Sequence, residues 1–368
     1  MHCKGVLTDF LQCVFDLIES IGGEKMIKPE RLKKGDKVAI VSLSKGMLGE
    51  KEFIHKYYLG KQRLEDKFGL EVITMSNTLK GTDYIYEHPE KRAEDLMDAF
   101  KDKTIKAIIC AIGGDDTIRL LPYIDYNVIK ENPKIFMGFS DTTANHLMMY
   151  KAGLISYYGP ALMCDFAEYV DMYDYTENVI KDLLFEAQEN YEIKKCNYWT
   201  NEYIPWCEEN INRAKTKIKD PKGYEIIQGL GKVTGKLLGG CLDAIPMYIG
   251  TEVWPSLEEW KNKIIFLETS EEKPNPDLIT YYLRNLGAQG ILNVAKGIIV
   301  GKPQNEKYYE EYKDVYRKVL KEFNREDMPV LYNVNFGHSS PIGIIPYGIN
   351  CELDIDNKKI TLLEACVK

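Results

Sequence analysis

The sequence predicts a two-domain α/β protein. Three observations carry that expectation. The chain has 368 residues, more than one compact domain usually holds. From Lys37 onward, short apolar runs alternate with stretches of helical spacing. That rhythm breaks after Ala167 and resumes at Gly231. A βαβα alternation argues for a parallel sheet covered by helices on both faces.

The elements follow in order. Residues 38–43 form an apolar run bounded by Lys-Gly-Asp and Ser-Lys-Gly, which reads as a buried strand. Residues 51–68 have helical spacing and stop at Gly69. Strands are expected at 70–75, at 105–112 before Gly113-Gly114, and at 135–138. Helices are expected at 89–100, 117–121 and 142–151, with a linker turn at 125–130. Residues 168–224 are rich in Tyr, Trp, Asn, Glu and Lys without clean periodicity, the signature of a linker and substrate loop. The second domain resumes with 231–240. It continues with strands at 263–268, 297–301 and 329–333, helices at 277–286 and 308–323, and a hairpin at 348–364 turning at Asp356-Asn357. The expected division is therefore an extension at 1–26, an α/β domain at 27–167, a linker at 168–224 and a mixed α/β domain at 225–368. Within the extension, Val6, Leu7, Phe10, Leu11, Val14, Phe15, Leu17 and Ile18 lie on one helical face; Asp9, Asp16 and Glu19 make it a poor signal peptide.

Composition narrows the function. A formal net charge of −8 gives no support to binding a nucleic-acid polymer, which needs clustered Lys and Arg, while a nucleotide or peptide ligand in a local pocket stays open. The nine cysteines are scattered, with no CxxC pair and no Cys/His cluster at zinc spacing. This predicts reduced thiols in a cytoplasmic protein. No apolar run approaches the roughly 20 residues that cross a bilayer, so no membrane association is expected.

Ser140 is the candidate nucleophile. It follows the strand at 135–138 and precedes a helix, with Gly138 two residues before it. Such a turn lifts Oγ above the sheet edge and aims helix N-terminal N–H groups at an adjoining oxyanion. Thr142 stands where the second glycine of the Gly-x-Ser-x-Gly elbow belongs, so on the motif alone Ser140 or Asp141 reads as a helix cap before it reads as a nucleophile. Gly113-Gly114 allows close backbone approach to a ligand, or is a plain strand-to-helix turn. Among five histidines only His338 lies in a Gly/Ser/Pro loop after a buried strand, where a general base is commonly held. Glu268 ends an apolar strand and is the candidate to orient that base, or else a solvent-facing carboxylate. Glu271 and Glu272 read as solvated loop carboxylates.

These residues, with residues 32–39, Leu120-Leu121-Pro122 and Leu237-Leu238-Gly239-Gly240, recur in an order that resembles the LD-carboxypeptidase family of serine peptidases, from about Ile27 to the C-terminus. The branch it resembles contains the microcin C self-immunity proteins. The resemblance implies a flavodoxin-like N-terminal domain and a swivelling C-terminal α/β domain. It implies Ser140 as nucleophile, His338 as base, Glu268 as its orienting residue, and the Gly114 and Asp141 N–H groups as oxyanion hole. It further implies a metal-free, cytoplasmic homodimer without cofactor. Gly113, Asp115, Trp199 and Trp206 are then expected at the substrate, one tryptophan stacking on a nucleobase or both anchoring a long loop. Two substrates fit, a peptidyl or aminoacyl nucleotide conjugate of the microcin C kind and a murein tetrapeptide. A non-catalytic shell closing on a small ligand is the reading from another class. The family's Asn after Gly239-Gly240 is replaced here by Cys241.

Overall fold

The computed structural model describes residues 26–368, so the expected N-terminal helix lies outside the described residues. Five parallel strands build the first sheet: β1 (Lys37–Val41), β2 (Glu71–Thr74), β3 (Ile105–Cys110), β4 (Ile135–Gly138) and β5 (Tyr157–Tyr158), in the order β5-β4-β3-β1-β2. Val38 to Val41, Ala107 to Cys110 and all of β4 are buried, as near-continuous apolar strands covered on both faces must be.

The linker is not structureless. It supplies β6 (Tyr191–Glu192) and a small ribbon of β7 (Tyr198–Trp199) against β8 (Ile218–Lys219). The second sheet centres on four parallel strands: β10 (Lys232–Cys241), β11 (Ile264–Glu268), β12 (Gly297–Gly301) and β13 (Val330–Val334). β9 (Glu225–Gln228) flanks β13 in antiparallel register. The chain then returns to the first domain, where β14 (Ile345–Pro346) adds an antiparallel edge to β5. Last comes the expected hairpin of β15 (Asn350–Asp354) and β16 (Lys359–Leu362), which β6 extends. The second sheet thus runs β6-β16-β15-β10-β11-β12-β13-β9.

Helices α1 (Ile54–Phe68) and α2 (Pro89–Lys101) fall where periodicity places them. The expected turn at 125–130 is instead α3 (Tyr126–Glu131), because the Asp125 carboxylate accepts the N–H groups of Asn127 and Val128 and caps a helix. Helix α4 (Thr143–Lys151) leaves the Ser140 turn; α5 (Pro276–Ala288) and α6 (Tyr309–Glu322) cover the second sheet. None of the described helices is long and apolar enough to cross a membrane. The seven cysteines in the described residues are all unpaired.

Candidate active site

The carboxyl ends of parallel strands from both sheets converge on one cleft, the usual ligand position in open α/β sheets. β4 delivers Ser140, β3 delivers Gly113, β11 delivers Glu268, and the segment after β13 delivers His338. Gly113, Gly114, Ser140 and His338 line a cavity of about 500 Å³ together with Lys45, Trp206 and Glu271.

Ser140 holds φ at 65°, left-handed for a residue with a side chain, which marks a sharp strained elbow. Gly113 is needed beside it, since a Cβ there would sit 2.8 Å from the Ser140 Cβ. The elbow is fixed from below by Asp141. Its buried carboxylate accepts from Ser44 Oγ (2.7 Å), Thr117 N (2.9 Å), Thr117 Oγ1 (2.6 Å) and Tyr248 Oη (2.5 Å). Tyr248 belongs to the second domain, so this carboxylate also ties the two domains at the elbow. Arg92, wholly buried, braces the neighbouring loops through Leu43 O, Ser44 O and Asp116. The backbone N–H groups of Gly114 and Asp141 find no acceptor among the described residues.

On the opposite wall, His338 Nδ1 donates to Glu268 Oε2 at 2.7 Å. Glu268 is completely buried. Its Oε1 accepts from Tyr158 Oη at 2.5 Å, and the same hydroxyl accepts the Ser140 N–H at 3.0 Å. One tyrosine therefore links the backbone of the serine to the carboxylate behind the histidine. Nothing in the sequence singles Tyr158 out: it is one of 25 tyrosines and falls outside every expected element. The Phe139 ring meets the His338 ring edge to face at 4.9 Å, which sets the imidazole beside the elbow.

Glu271 departs from expectation in part. Its side chain is 57% exposed, as a loop carboxylate should be, but its Oε2 also lies 3.0 Å from His338 Nε2, an ion-pair contact that the sequence does not show. Burial lowers the His338 pKa, but the Glu268 charge and the bonds to Glu268 and Glu271 outweigh it and push the value up to about 10. The bond from His338 holds the Glu271 carboxyl down at about 2 against the opposing effect of burial. Among the described residues no hydrogen bond joins Ser140 Oγ to His338.

The remaining expected residues separate. Trp206 lines the cavity, with Lys56 Nζ 4.8 Å from its ring centroid. Trp199 is buried outside that lining, under Lys302 Nζ at 4.4 Å, which also bonds Asp220, Glu306 and Asn333. Asp115 also lies outside the lining, 75% exposed and 4.0 Å from Lys45. The remaining histidine of interest, His146, is buried between Ser156 Oγ and Gly138 O, and burial brings its pKa down to about 3, so it is a neutral structural group. Cys241 pairs in register with Glu268 on the adjoining strand. Its Sγ, a Glu268 oxygen and a His338 nitrogen lie within 4.8 Å of one another, a zinc-compatible donor set. Those atoms are already engaged in the Glu268–His338 bond and in Cys241 Sγ to Asp243 Oδ1 at 3.2 Å.

Two α/β domains meeting at such a cleft define, by class, a serine-type peptidase. More particularly, the chain belongs to the LD-carboxypeptidase family: residues 38–159 match its N-terminal domain and residues 234–353 its C-terminal domain. It is 30% identical over 312 residues to the microcin C7 self-immunity protein MccF of Escherichia coli, covering 84% of this chain and 88% of that one. The structure of MccF with aspartyl sulfamoyl adenosine superposes with a TM-score of 0.79 at 27% identity, over 93% of this chain and 100% of that chain. An MccF-like protein from Streptococcus pneumoniae, solved in complex with AMP, gives a TM-score of 0.82 at 37% identity over 89% of this chain and 98% of that one. A Bacillus subtilis relative named "Probable murein peptide carboxypeptidase" is 28% identical over 343 residues, 92% of this chain and 95% of its own.

Proposed function

We propose that the protein hydrolyses an amide bond with Ser140 as nucleophile, His338 as base and Glu268 as the carboxylate that orients His338. The observation that carries this is a serine at φ 65° beside an imidazole whose Nδ1 is held at 2.7 Å by a buried carboxylate. His338 Nε2 takes the Ser140 proton as Oγ adds to the carbonyl. The Gly114 and Asp141 N–H groups receive the oxyanion. His338 Nε2 then gives that proton to the leaving nitrogen and, neutral again, deprotonates the water that releases the acid from the acyl-enzyme.

The substrate we infer is a small peptidyl or aminoacyl nucleotide conjugate. Trp206 in the cavity wall supplies a stacking face for a base, and the relatives solved with AMP and with aspartyl sulfamoyl adenosine support the same class. A murein tetrapeptide is the second reading, favoured by the Bacillus subtilis relative. Assaying an aminoacyl-sulfamoyl adenosine and a murein tetrapeptide with wild type and Ser140→Ala decides between them. Equal turnover by both forms of the protein overturns the nucleophile. Failure of a serine-directed phosphonate to label Ser140 favours a non-catalytic binding shell. A homodimer in the cytoplasm completes this proposal, and light scattering tests its first half.

A further inference from the structure

His338 has a carboxylate at each ring nitrogen: Glu268 is hydrogen-bonded to Nδ1 at 2.7 Å, and Glu271 Oε2 lies 3.0 Å from Nε2 as an ion-pair contact. Such an imidazole carries both protons. It has no lone pair with which to take the Ser140 proton. The two carboxylates differ in their freedom. Glu268 is wholly buried at the end of β11 and bonded by Tyr158. Glu271 is more than half exposed, and His338 is its one ion-pair partner within 4 Å among the described residues. The backbone around it is pinned, because Ser270 N donates to Asp243 Oδ1 at 3.0 Å, Ser270 Oγ also bonds Asp243, and Glu272 N donates to Ser270 Oγ at 3.2 Å. Releasing the base therefore needs a side-chain rotation only, which is fast.

The other acids of the cavity are spoken for. Asp165 accepts the Ala161 N–H, and Glu202 is held by Arg213 and the Thr216 N–H. Glu271 is thus the lining carboxylate whose partner is the reacting nitrogen itself. A cation brought in by the substrate competes for it directly.

We propose that Glu271 is a substrate-operated latch on the base: it occupies His338 Nε2 until an ammonium group on the acyl portion of the substrate draws the carboxylate away. The site thereby selects acyl groups with a free cationic amine over neutral, N-blocked ones. This rests on Ser140 and His338 being nucleophile and base. Once Glu271 leaves, the imidazolium loses the proton on Nε2 to solvent and Nε2 becomes free to face Ser140 Oγ. The charged groups around His338 are Glu268 from β11 and Glu271 from the loop after it. The Cys241 thiol lies alongside from β10, burial pushing its pKa well up. Tyr158 acts through Glu268, and the Lys45 charge acts through Glu271. Of these, Glu271 is the one free to move without breaking buried structure.

The test uses the full chain with ¹⁵N-labelled histidine. The His338 titration, assigned by its loss in His338→Gln, is followed in wild type and Glu271→Gln. The midpoint is expected to fall by about one pH unit or more in Glu271→Gln. An unchanged midpoint overturns the latch. In parallel, an aminoacyl-sulfamoyl adenosine and its N-acetyl derivative are compared by kcat/KM. Wild type is expected to favour the free amine by roughly tenfold or more. Glu271→Gln is expected to erase that preference by turning over the N-acetyl compound faster. A preference that survives the substitution, or a loss of both activities together, overturns the latch. Ser140→Ala separates the two failures: turnover that persists there overturns the nucleophile, whereas turnover abolished there beside an unaltered Glu271→Gln overturns the latch alone.

Discussion

The two walls of the cleft are built on opposite principles. The serine wall is rigid: strained backbone at Ser140, a glycine where a Cβ would collide, and a buried Asp141 carboxylate holding four donors. The histidine wall is adjustable: one immovable carboxylate on Nδ1 and one half-exposed carboxylate on Nε2. In the proposed mechanism, fixed geometry suits the atom that attacks at a defined angle. An adjustable neighbour suits the atom whose protonation state decides whether attack occurs.

The largest effect breaks the rigid wall. Ser140→Ala is expected to lower kcat by on the order of 10⁴-fold or more, measured with an aminoacyl-sulfamoyl adenosine by single-turnover release of sulfamoyl adenosine. Ser140→Gly separates chemistry from strain. It is equally inactive, yet denaturant titration is expected to find it more stable by about 1 kcal/mol, because glycine adopts positive φ without cost. No gain in stability would mean that the elbow stores no strain.

Glu268→Gln tests the fixed carboxylate on the other wall. An amide keeps the shape but loses the charge that stabilises the imidazolium, and kcat is expected to fall by roughly 10³- to 10⁴-fold with little change in KM. Tyr158→Phe, where the walls are tied together, is next. It strips a partner from both the Ser140 N–H and Glu268 Oε1, which costs about 1–3 kcal/mol in unfolding free energy for buried groups left unsatisfied. A neutral result would show that the walls are independent.

The two tryptophans repeat the contrast on a smaller scale. Trp206→Ala is expected to weaken AMP binding by about 1–3 kcal/mol with stability nearly unchanged. Trp199→Ala, which uncovers the buried Lys302 cluster, is expected to lower the melting temperature and leave AMP affinity alone. Calorimetry and thermal scans on both variants check the assignment.

The sequence displays the rigid wall better than the adjustable one, for physical reasons. Strand ends followed by Gly113-Gly114 and by Gly138-Phe139-Ser140 are written in local periodicity and glycine placement. Glu268 and His338 show by their position at apolar strand ends. Glu271 has no such mark, since a loop carboxylate next to another carboxylate looks solvated until the fold brings a histidine to it. Tyr158 is hidden because its hydroxyl, not its apolar body, does the linking. Two residues of β14 are too few to show a period, so the return of the chain to the first sheet is invisible before the structure. The separation of Trp199 from Trp206 depends on which one Lys302 covers, a contact across more than a hundred residues.

The smallest effect is one of stability against pH, and it isolates the adjustable carboxylate. The His338 pKa in the folded protein is raised to about 10 from its ordinary 6.5. The stabilisation from its two carboxylates is therefore fully present below about pH 6.5 and is lost as pH rises through about 10. Other groups titrate in the same window, among them buried Lys56, whose pKa burial lowers to about 8. Comparing wild type with Glu271→Gln cancels these shared contributions. The half-exposed Glu271 is screened by solvent, so its share is about 1 kcal/mol or less. Urea titrations at pH 6.5 and pH 10 are expected to show wild type losing that much more than the variant. Equal losses would place the whole shift of His338 on Glu268, and the second wall would then be as fixed as the first.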